Sequence, residues 1–541
     1  MHGDTRPTHS GDIGGSADLA DVAIVGYGPV GQALALRLAQ HGHRVVVVER
    51  WPALFGLPRA VGLDHEALRT LQALGIMAEF EPRTSLSKVY EWRNAAGEVL
   101  LAFPGLHEMG ISGWSKGAGF SQPVLERILD ERVRNEHAGQ VRLMQGRAVV
   151  GLQERPGHVV LETRRGAGPE GEGQVERIAA RYVVGCDGAG SFVRGALGTA
   201  MEDLAFAADW LVVDLQPRDA SQCNDDLIQV CDPRRPTTMV SGGPGRCRFE
   251  FMMLEGERKE DFNNAAAAWS LLAPLGWNPS NAVLERHTVY TFRAAVAQTW
   301  RRGRLMIAGD AAHMTPPFAA QGLCAGLRDV ASLAWRLDMV LRGRASEALL
   351  DGYSDERRVH ARALVEFAVE LGKIICLLDP VAAEARDRQL REAREARKEE
   401  QDGMPAPRLG DSPLLRAGDP QAGSLSVQGR IRCFGRIGRF DDLIGNGFVL
   451  IGDGHDPASR LGSAQRAFLH ELGIRNIGVG PSCSAQDVDG TYRRWFDTLQ
   501  CSAVLVRPDF YVYGAGEADE LVGALMASWA EAYARREEAL A

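Results

Sequence analysis

The sequence predicts an α/β chain whose first domain is built on a parallel sheet, and three observations carry that prediction. Residues 22–26 (Val-Ala-Ile-Val-Gly) are a short apolar run ending in glycine, which reads as a buried strand feeding a turn. Residues 32–41 have helical spacing, and Gly42 stops them. Arg44 to Glu49 (Arg-Val-Val-Val-Val-Glu) then reads as a second buried strand. Strand, helix and strand within about thirty residues make a βαβ unit, whose strands run parallel.

Further on, 87–114 changes to short alternating segments with turns, closer to antiparallel sheet. A helix is expected over 123–134, and strands over 141–152, 159–162 and 181–185, with a Gly/Glu-rich loop at 166–173. From 210 to 290 alternating strands return, broken by a helix-like 262–272; a helix-rich stretch follows from 322 to about 378. Arg386 to Glu400 alternates in charge sign and reads as an exposed helix rather than a nucleic-acid contact. Residues 403–423, rich in Pro and Gly, are the best linker candidate. Beyond them, 447–451, 503–506 and 510–513 read as strands and 518–540 as a closing helix.

Composition narrows the classes. The chain has 541 residues and a net charge of −9, from 61 basic and 70 acidic side chains. Length over ~150 gives three to four domains, two or three if one is large. With 45% hydrophobic and 24% charged residues, bulk disorder is excluded. Mild acidity without a basic patch argues against nucleic-acid binding. No apolar run approaches the ~18 residues that span a bilayer, and the polar first twenty residues read as a disordered tail rather than a signal peptide. The nine cysteines form no CxxC, which argues against a zinc ribbon or redox pair and suits a reducing cytoplasm. No metal site is expected.

The chemistry begins at Gly26-Tyr-Gly28-Pro-Val-Gly31, between the first strand and its helix. Glycines permit the tight turn and let backbone approach a pyrophosphate, whose charge suits a helix N-terminus. Glu49, with Arg50 beside it, ends the second strand where a carboxylate would accept from ribose hydroxyls. The bland alternative is a glycine-rich turn that binds nothing. The fingerprint does not separate NAD from FAD.

Two later blocks do. Arg181-Tyr-Val-Val-Gly-Cys-Asp187-Gly188 ends a strand in Asp-Gly and opens a helix. Gly303-Arg-Leu-Met-Ile-Ala-Gly309-Asp310-Ala-Ala-His313-Met-Thr-Pro-Pro317 does the same, then runs through a proline-rich loop to Gly322 and a long helix. With the fingerprint, these resemble the three signatures of class A flavoprotein aromatic hydroxylases, the para-hydroxybenzoate hydroxylase fold, over about residues 20–375. The resemblance implies a Rossmann-type FAD-binding domain (21–86, 115–209 and 291–378) carrying an inserted mixed or antiparallel-sheet substrate domain (87–114 and 210–290). A helix and linker (379–422) would lead to a C-terminal domain (423–541).

Residue by residue, the resemblance places Asp310 on a ribityl hydroxyl of FAD, and the backbone of Gly322, Leu323 and Cys324 against the flavin N1–C2 edge. A reduced flavin is anionic there, and a helix N-terminus carries partial positive charge. Arg59 matches the arginine that reaches the pyrophosphate, and Gln122 a flavin-contacting glutamine; a surface salt bridge and a helix cap are the alternatives. Asp187-Gly188 is the element implicated in both FAD and NAD(P)H binding. His313 lies inside the FAD block, which favours a structural role. The segments Pro58–Glu66 and Gln321–Asp329 look like the 3-(3-hydroxyphenyl)propionate hydroxylase and phenol hydroxylase branch, although Cys324 stands where many relatives have Asn. Leu505-Val-Arg-Pro-Asp-Phe-Tyr-Val-Tyr resembles that branch's thioredoxin-like C-terminal domain. Without CxxC its role would be structural or in assembly, and its removal should leave the flavin chemistry in principle intact.

The reaction implied is a monooxygenation. NADPH or NADH reduces FAD, O2 forms a flavin C4a-hydroperoxide, and its distal oxygen attacks an electron-rich phenol ortho or para to the hydroxyl. An ionised phenol reacts faster, so an acceptor near the phenolic oxygen is expected. Asp64 and Tyr290 stand where the phenol-hydroxylase branch has an active-site acid and tyrosine; equally, Asp64 would cap the next helix and Tyr290 would be a sheet aromatic. Arg93, Arg246, Arg248 and Arg293 are all candidates to meet a substrate acid, and alternation does not say which face looks inward. Other flavin chemistries, epoxidation or halogenation, share the fold, but none of the ten tryptophans forms the halogenase Trp-x-Trp-x-Ile-Pro signature. A non-catalytic flavin-binding protein is the alternative of a different class. Membrane and nucleic-acid partners are not expected, and a homodimer stays open.

Overall fold

The computed structural model describes residues 19–166, 174–396 and 406–534. The expected tail, most of the Gly/Glu-rich loop, the start of the linker and the ends of the 386–400 and 518–540 helices lie outside the described residues.

The apolar run at 20–25 becomes the central strand of an eight-stranded sheet. Ala20–Val25 pairs in parallel with Val45–Glu49 on one side and Glu176–Gly185 on the other, and Leu305–Ile307 and Val141–Gln145 extend the parallel run. Strands buried on both faces read as continuous Val/Ile runs, which is how the sequence writes them. The expected single strand over 141–152 is two strands: Gly146, at φ +72°, turns the chain between Val141–Gln145 and Arg147–Arg155.

A second eight-stranded sheet is mixed, with Val89–Arg93 parallel to Leu227–Val230 and the other pairs antiparallel. Two of its strands, Met201–Pro217 (17 residues) and Ala282–Ala297 (16 residues), run out of the FAD-binding region and into the sheet without a break. The boundaries expected at 209/210 and 290/291 therefore fall inside continuous strands. Register shifts between Asp203 and Ala207 bend the pair instead of a loop.

The C-terminal sheet has seven strands. Its core order is Val512–Gly516, Ala503–Val506, Val449–Asp453, Arg475–Val479, with only the last pair parallel. That is the thioredoxin-like arrangement, with helices Ser463–Leu472, Thr491–Leu499 and Ala518–Ala532 packed on it. The strand expected at 510–513 starts at Val512 because Phe510, at φ +72°, sits in a turn closed from its N–H to the Arg507 carbonyl.

This domain shares its core with the rest of the chain. Phe448, Leu450, Leu525 and Trp529 belong to the same apolar core as Val22, Leu333 and Val365. Residues 406–423 pack rather than link: Leu409 and Leu414 are buried, and Arg416 N–H bonds to the Tyr513 carbonyl. Arg507, wholly buried, gives Nη1 to Glu356 Oε1 at 2.9 Å and Nη2 to Asp509 Oδ2 at 2.7 Å, and Arg336 reaches Glu356 at 2.6 Å. Removing residues 423–541, expected to leave the flavin chemistry in principle intact at a cost in solubility or assembly, would also strip these buried charges of their partners. Replacing Arg507 with Met should lower stability by about 3–5 kcal/mol by leaving two buried carboxylates, Glu356 and Asp509, to the single cation Arg336. A thermal unfolding midpoint equal to that of the wild type would show that the pairing contributes nothing.

Candidate active site

Glycine backbone brings the three sequence blocks together. A Cβ on Gly26 would lie 2.4 Å from the Cys186 carbonyl oxygen, and one on Gly31 only 2.2 Å from that of Gly26. Only a bare backbone lets the fingerprint turn nest against the Cys186–Asp187 segment. Gly309 packs on Val30 on the other side, where a Cβ would meet the Val30 methyl at 3.1 Å.

The helix Pro29–Gln40 starts after Gly28 with Pro at its first position and no side-chain cap, so its first N–H groups remain for an anion. Glu49, half-buried, accepts from Tyr27 N–H at 2.7 Å and Trp51 N–H at 2.9 Å, which fixes its carboxylate at the strand end with lone pairs to spare. Arg50 is exposed, over the Trp51 ring. Asp187 accepts from the N–H groups of Phe192 and Val193 at 2.7 and 3.2 Å and from the Ser191 hydroxyl, so its carboxylate holds the loop in which Gly188 adopts φ +77°.

Asp310 is different. Its side chain is exposed at the cleft, and its carboxylate accepts no hydrogen bond among the described residues. Burial raises its carboxyl above the ordinary value, with His313 and Arg59 opposing. Its neighbour Gly309 is held from behind, its N–H donating to Asp329 Oδ2 at 2.9 Å, which also meets His313 Nε2 at 2.8 Å. His313 is fully buried, as a structural residue of the block would be.

The next helix, Gln321–Leu341, opens with Ala320 in the left-handed region (φ +53°) and again without a side-chain cap. The turn Pro317–Ala319 leads into it, and Gly322 and Leu323 are half-open to the cleft. Cys324 is buried against the Ala320 and Gly62 carbonyls, with its thiol pushed up by burial, so it packs. A cleft carboxylate with no protein donor, two uncapped helix starts and a glycine cradle together fit FAD. Asp310 would take a ribityl hydroxyl, the Pro29–Gln40 helix the pyrophosphate, and the N–H groups of Gly322 to Cys324 the N1–C2 edge.

Arg59 is exposed over the Phe55 ring at 4.3 Å, at the mouth of this cleft. Gln122 is buried and has spent both ends of its amide: Oε1 accepts from Ala60 N–H at 2.8 Å, and Nε2 donates to Glu126 Oε1 at 2.7 Å. It anchors the loop that carries Arg59.

Asp64 caps the helix His65–Ala73, with Oδ1 accepting from Ala67 N–H at 2.8 Å. Its Oδ2 accepts from Arg328 Nη2 at 2.5 Å and Gln321 Nε2 at 3.1 Å. Burial pushes the carboxyl up, but Arg328, His65 and the Ala67 N–H together outweigh it and hold Asp64 down at about 2. It is therefore an anion at neutral pH that fastens the flavin-facing helix.

Tyr290 lies on the inner face of the second sheet, its hydroxyl accepting from Arg286 Nη2. Arg286, Asp214, Arg248 and Glu250 share that face. Arg248 pairs with Asp214 at 2.7 Å and also donates to the Pro58 and Arg59 carbonyls, so the sheet is tied to the cleft loop. Sequence reading included Arg248 among its arginines but missed Asp214, Glu250 and Arg286. The available signal was two charges, Arg248 and Glu250, alternating with Phe249 and Phe251 in one short strand. Arg93, Arg246 and Arg293 are engaged elsewhere or exposed: Arg93 with Glu91, Arg246 with Glu285, Arg293 at the surface.

No helix among the described residues is long and apolar enough to cross a membrane. Comparison with known proteins gives two domain matches: residues 19–368 to the FAD binding domain family, and residues 423–531 to the HcaD C-terminal domain. A probable NADH-specific resorcinol 4-hydroxylase of Rhodococcus jostii is 36% identical, over 94% of each chain. A 3-(3-hydroxy-phenyl)propionate/3-hydroxycinnamic acid hydroxylase of Escherichia coli is 32% identical, over 91% of each chain. Among solved structures, aklavinone-11 hydroxylase with FAD and aklavinone superimposes with a TM-score of 0.75 at 26% identity, covering 94% of this chain and 98% of that one. The flavin-dependent monooxygenase PieE, at 22% identity, shares the fold with a TM-score of 0.78, covering 95% of this chain and 99% of that one. The cleft and these likenesses agree, and the chain belongs to the flavoprotein aromatic hydroxylases built on this FAD binding domain.

Proposed function

We propose that this FAD-dependent monooxygenase uses NADH to place one oxygen on the ring of a small phenol, in the cytoplasm. The observation that carries the reading is the pairing of two surfaces: an FAD cradle ending in Asp310, and a sheet face bearing Arg286, Tyr290 and Glu250, fastened to it through Arg248. The resorcinol 4-hydroxylase likeness supports NADH and a simple phenol. All nine cysteines are free thiols, which supports a reducing compartment.

When bound, FAD supplies the electron transfer from NADH and the electrophilic oxygen donor. The chain's own part is to bind, orient and keep dry. Asp310 and the uncapped helix at Gln321 hold the flavin's polar edges. Trp210, Phe318 and Phe206 pack edge-on at 5.6–5.8 Å beside the Pro317–Ala319 turn and exclude water there. Tyr90 bonds its hydroxyl to the Phe318 carbonyl at 3.2 Å and so fixes that turn against the sheet.

Three measurements check this. The purified holoenzyme should oxidise NADH faster with simple phenols and release a product heavier by one oxygen; stimulation without oxygenated product across the panel would sink the hydroxylase reading. Asp310→Ala should weaken FAD retention on the order of tenfold or more, the cost of leaving a buried hydroxyl donor unpaired. An unchanged FAD dissociation constant would show that Asp310 is misplaced. Because Asp64 is already ionised at all working pH values, Asp64→Asn should loosen FAD yet leave the shape of the kcat profile between pH 5 and 9 unaltered; a lost limb in that profile would restore Asp64 as the base.

A further inference from the structure

Glu250 has no part in the FAD cradle, yet it sits on the sheet face that looks toward it. The register sets it between Val212 and Thr238 on neighbouring strands. It is only 6% exposed, and its carboxylate accepts no hydrogen bond among the described residues. The nearest cation is Arg248 Nη1 at 3.9 Å, and Arg248 is already committed to Asp214 at 2.7 and 3.1 Å. Arg286, from the strand on the far side, gives Nη2 to the Tyr290 hydroxyl, while its buried Nη1 makes no hydrogen bond and stands 3.8 Å from Asp214 Oδ2.

A carboxylate and a guanidinium nitrogen that both lack a hydrogen bond on one buried face are costly unless a ligand supplies one to each. A phenol does so: its O–H donates to the acceptor, and its oxygen, once ionised, accepts from the guanidinium. We propose that Glu250 is the catalytic residue that takes the proton of the substrate's phenolic hydroxyl, with Arg286, steadied by Tyr290, holding the oxygen that results. The O–H bond breaks heterolytically. The proton goes to the Glu250 carboxylate, the electron pair stays on the phenol oxygen, and the site's net charge is unchanged because one anion replaces another.

The surroundings suit that exchange. Burial lifts Glu250 to about 7, Arg248 and Arg286 lowering it and Asp214 raising it. Tyr90 faces it from the next part of the sheet, with a hydroxyl pushed up by burial, and so stays neutral. A carboxyl balanced near neutrality can accept the proton and pass it to water. The inference rests on the phenol-hydroxylase reading for the identity of the ligand.

The test uses the FAD-loaded enzyme, resorcinol and ring-fluorinated resorcinol, with the ultraviolet difference spectrum of phenolate as readout. In the wild type, bound resorcinol should ionise at least one pH unit below its value in free solution. In Glu250→Gln, with FAD retained, Arg286 still lowers the phenol's ionisation, but turnover at pH 7 should fall on the order of 10²-fold because the proton acceptor is gone. The more acidic fluorinated ring, or higher pH, should restore turnover in the variant. A Glu250→Gln enzyme that loses no turnover at pH 7, or whose lost turnover is not restored by the fluorinated ring or by higher pH, overturns the assignment. If that variant does not fold, the wild type decides alone: bound resorcinol ionising at its free value overturns the proposal. Phenolate formed on binding but never oxygenated would instead sink the hydroxylase reading and leave Glu250 as the acceptor.

Discussion

A layer of buried arginine–carboxylate pairs along two long helices is the constraint on which the rest of this structure depends. Arg328, Asp329 and Arg336 lie on Gln321–Leu341, and Glu356 and Arg357 on Asp351–Ile375. Arg328 binds Asp64 and Glu66, each at 2.5 Å, and Gln321 at 2.9 Å. Asp329 bridges Arg357 at 3.0 Å to His313 and to the Gly309 N–H. Arg336 and Arg507 share Glu356. Ions this deep repay their desolvation only when every partner is in place, so the layer tolerates one arrangement. That arrangement sets the helix start toward the flavin, Asp310 in the cleft, and the C-terminal domain against both helices.

The C-terminal domain thereby reaches the site without touching it. Tyr511 donates to Glu66 Oε1 at 2.7 Å and lies 3.0 Å from His360, and Glu66 shares Arg328 with Asp64. A fold that elsewhere carries a redox pair serves here as a wedge, supplying Arg507, Asp509 and Tyr511 from a single turn after a strand. The absence of CxxC leaves this role unaffected, since none of these side chains is a cysteine.

Across the cleft, two electrostatic regimes face each other. The flavin side offers N–H donors, partial positive charges set by backbone direction alone. The sheet side offers full charges, Asp214 with Arg248 closed into a pair, Glu250 and Arg286 left short of partners. Arg248 joins the two by holding the Pro58 and Arg59 carbonyls. The loop that bears Arg59 is thus pinned from one side by the sheet and from the other by Gln122.

Local pattern determined the parallel sheet, the fingerprint turn and the order of the three FAD blocks. Apolar runs 22–25 and 45–48 and glycines at 26, 28 and 31 act through contacts within a few residues or through one βαβ unit, and such constraints are written in consecutive letters. The helix cap at Asp64 was legible for the same reason. What only the tertiary structure decided is which charges meet. Asp64 with Arg328 and Arg507 with Glu356 join positions hundreds or scores of residues apart, and the low dielectric that makes their pairing obligatory exists only once the core has closed around them. The same holds for Glu250: alternation shows that Arg248, Glu250 and Met252 share a face, but a strand of period two carries no mark of which face meets the flavin. That choice was made by the helices packed on the other side, against Phe249 and Phe251.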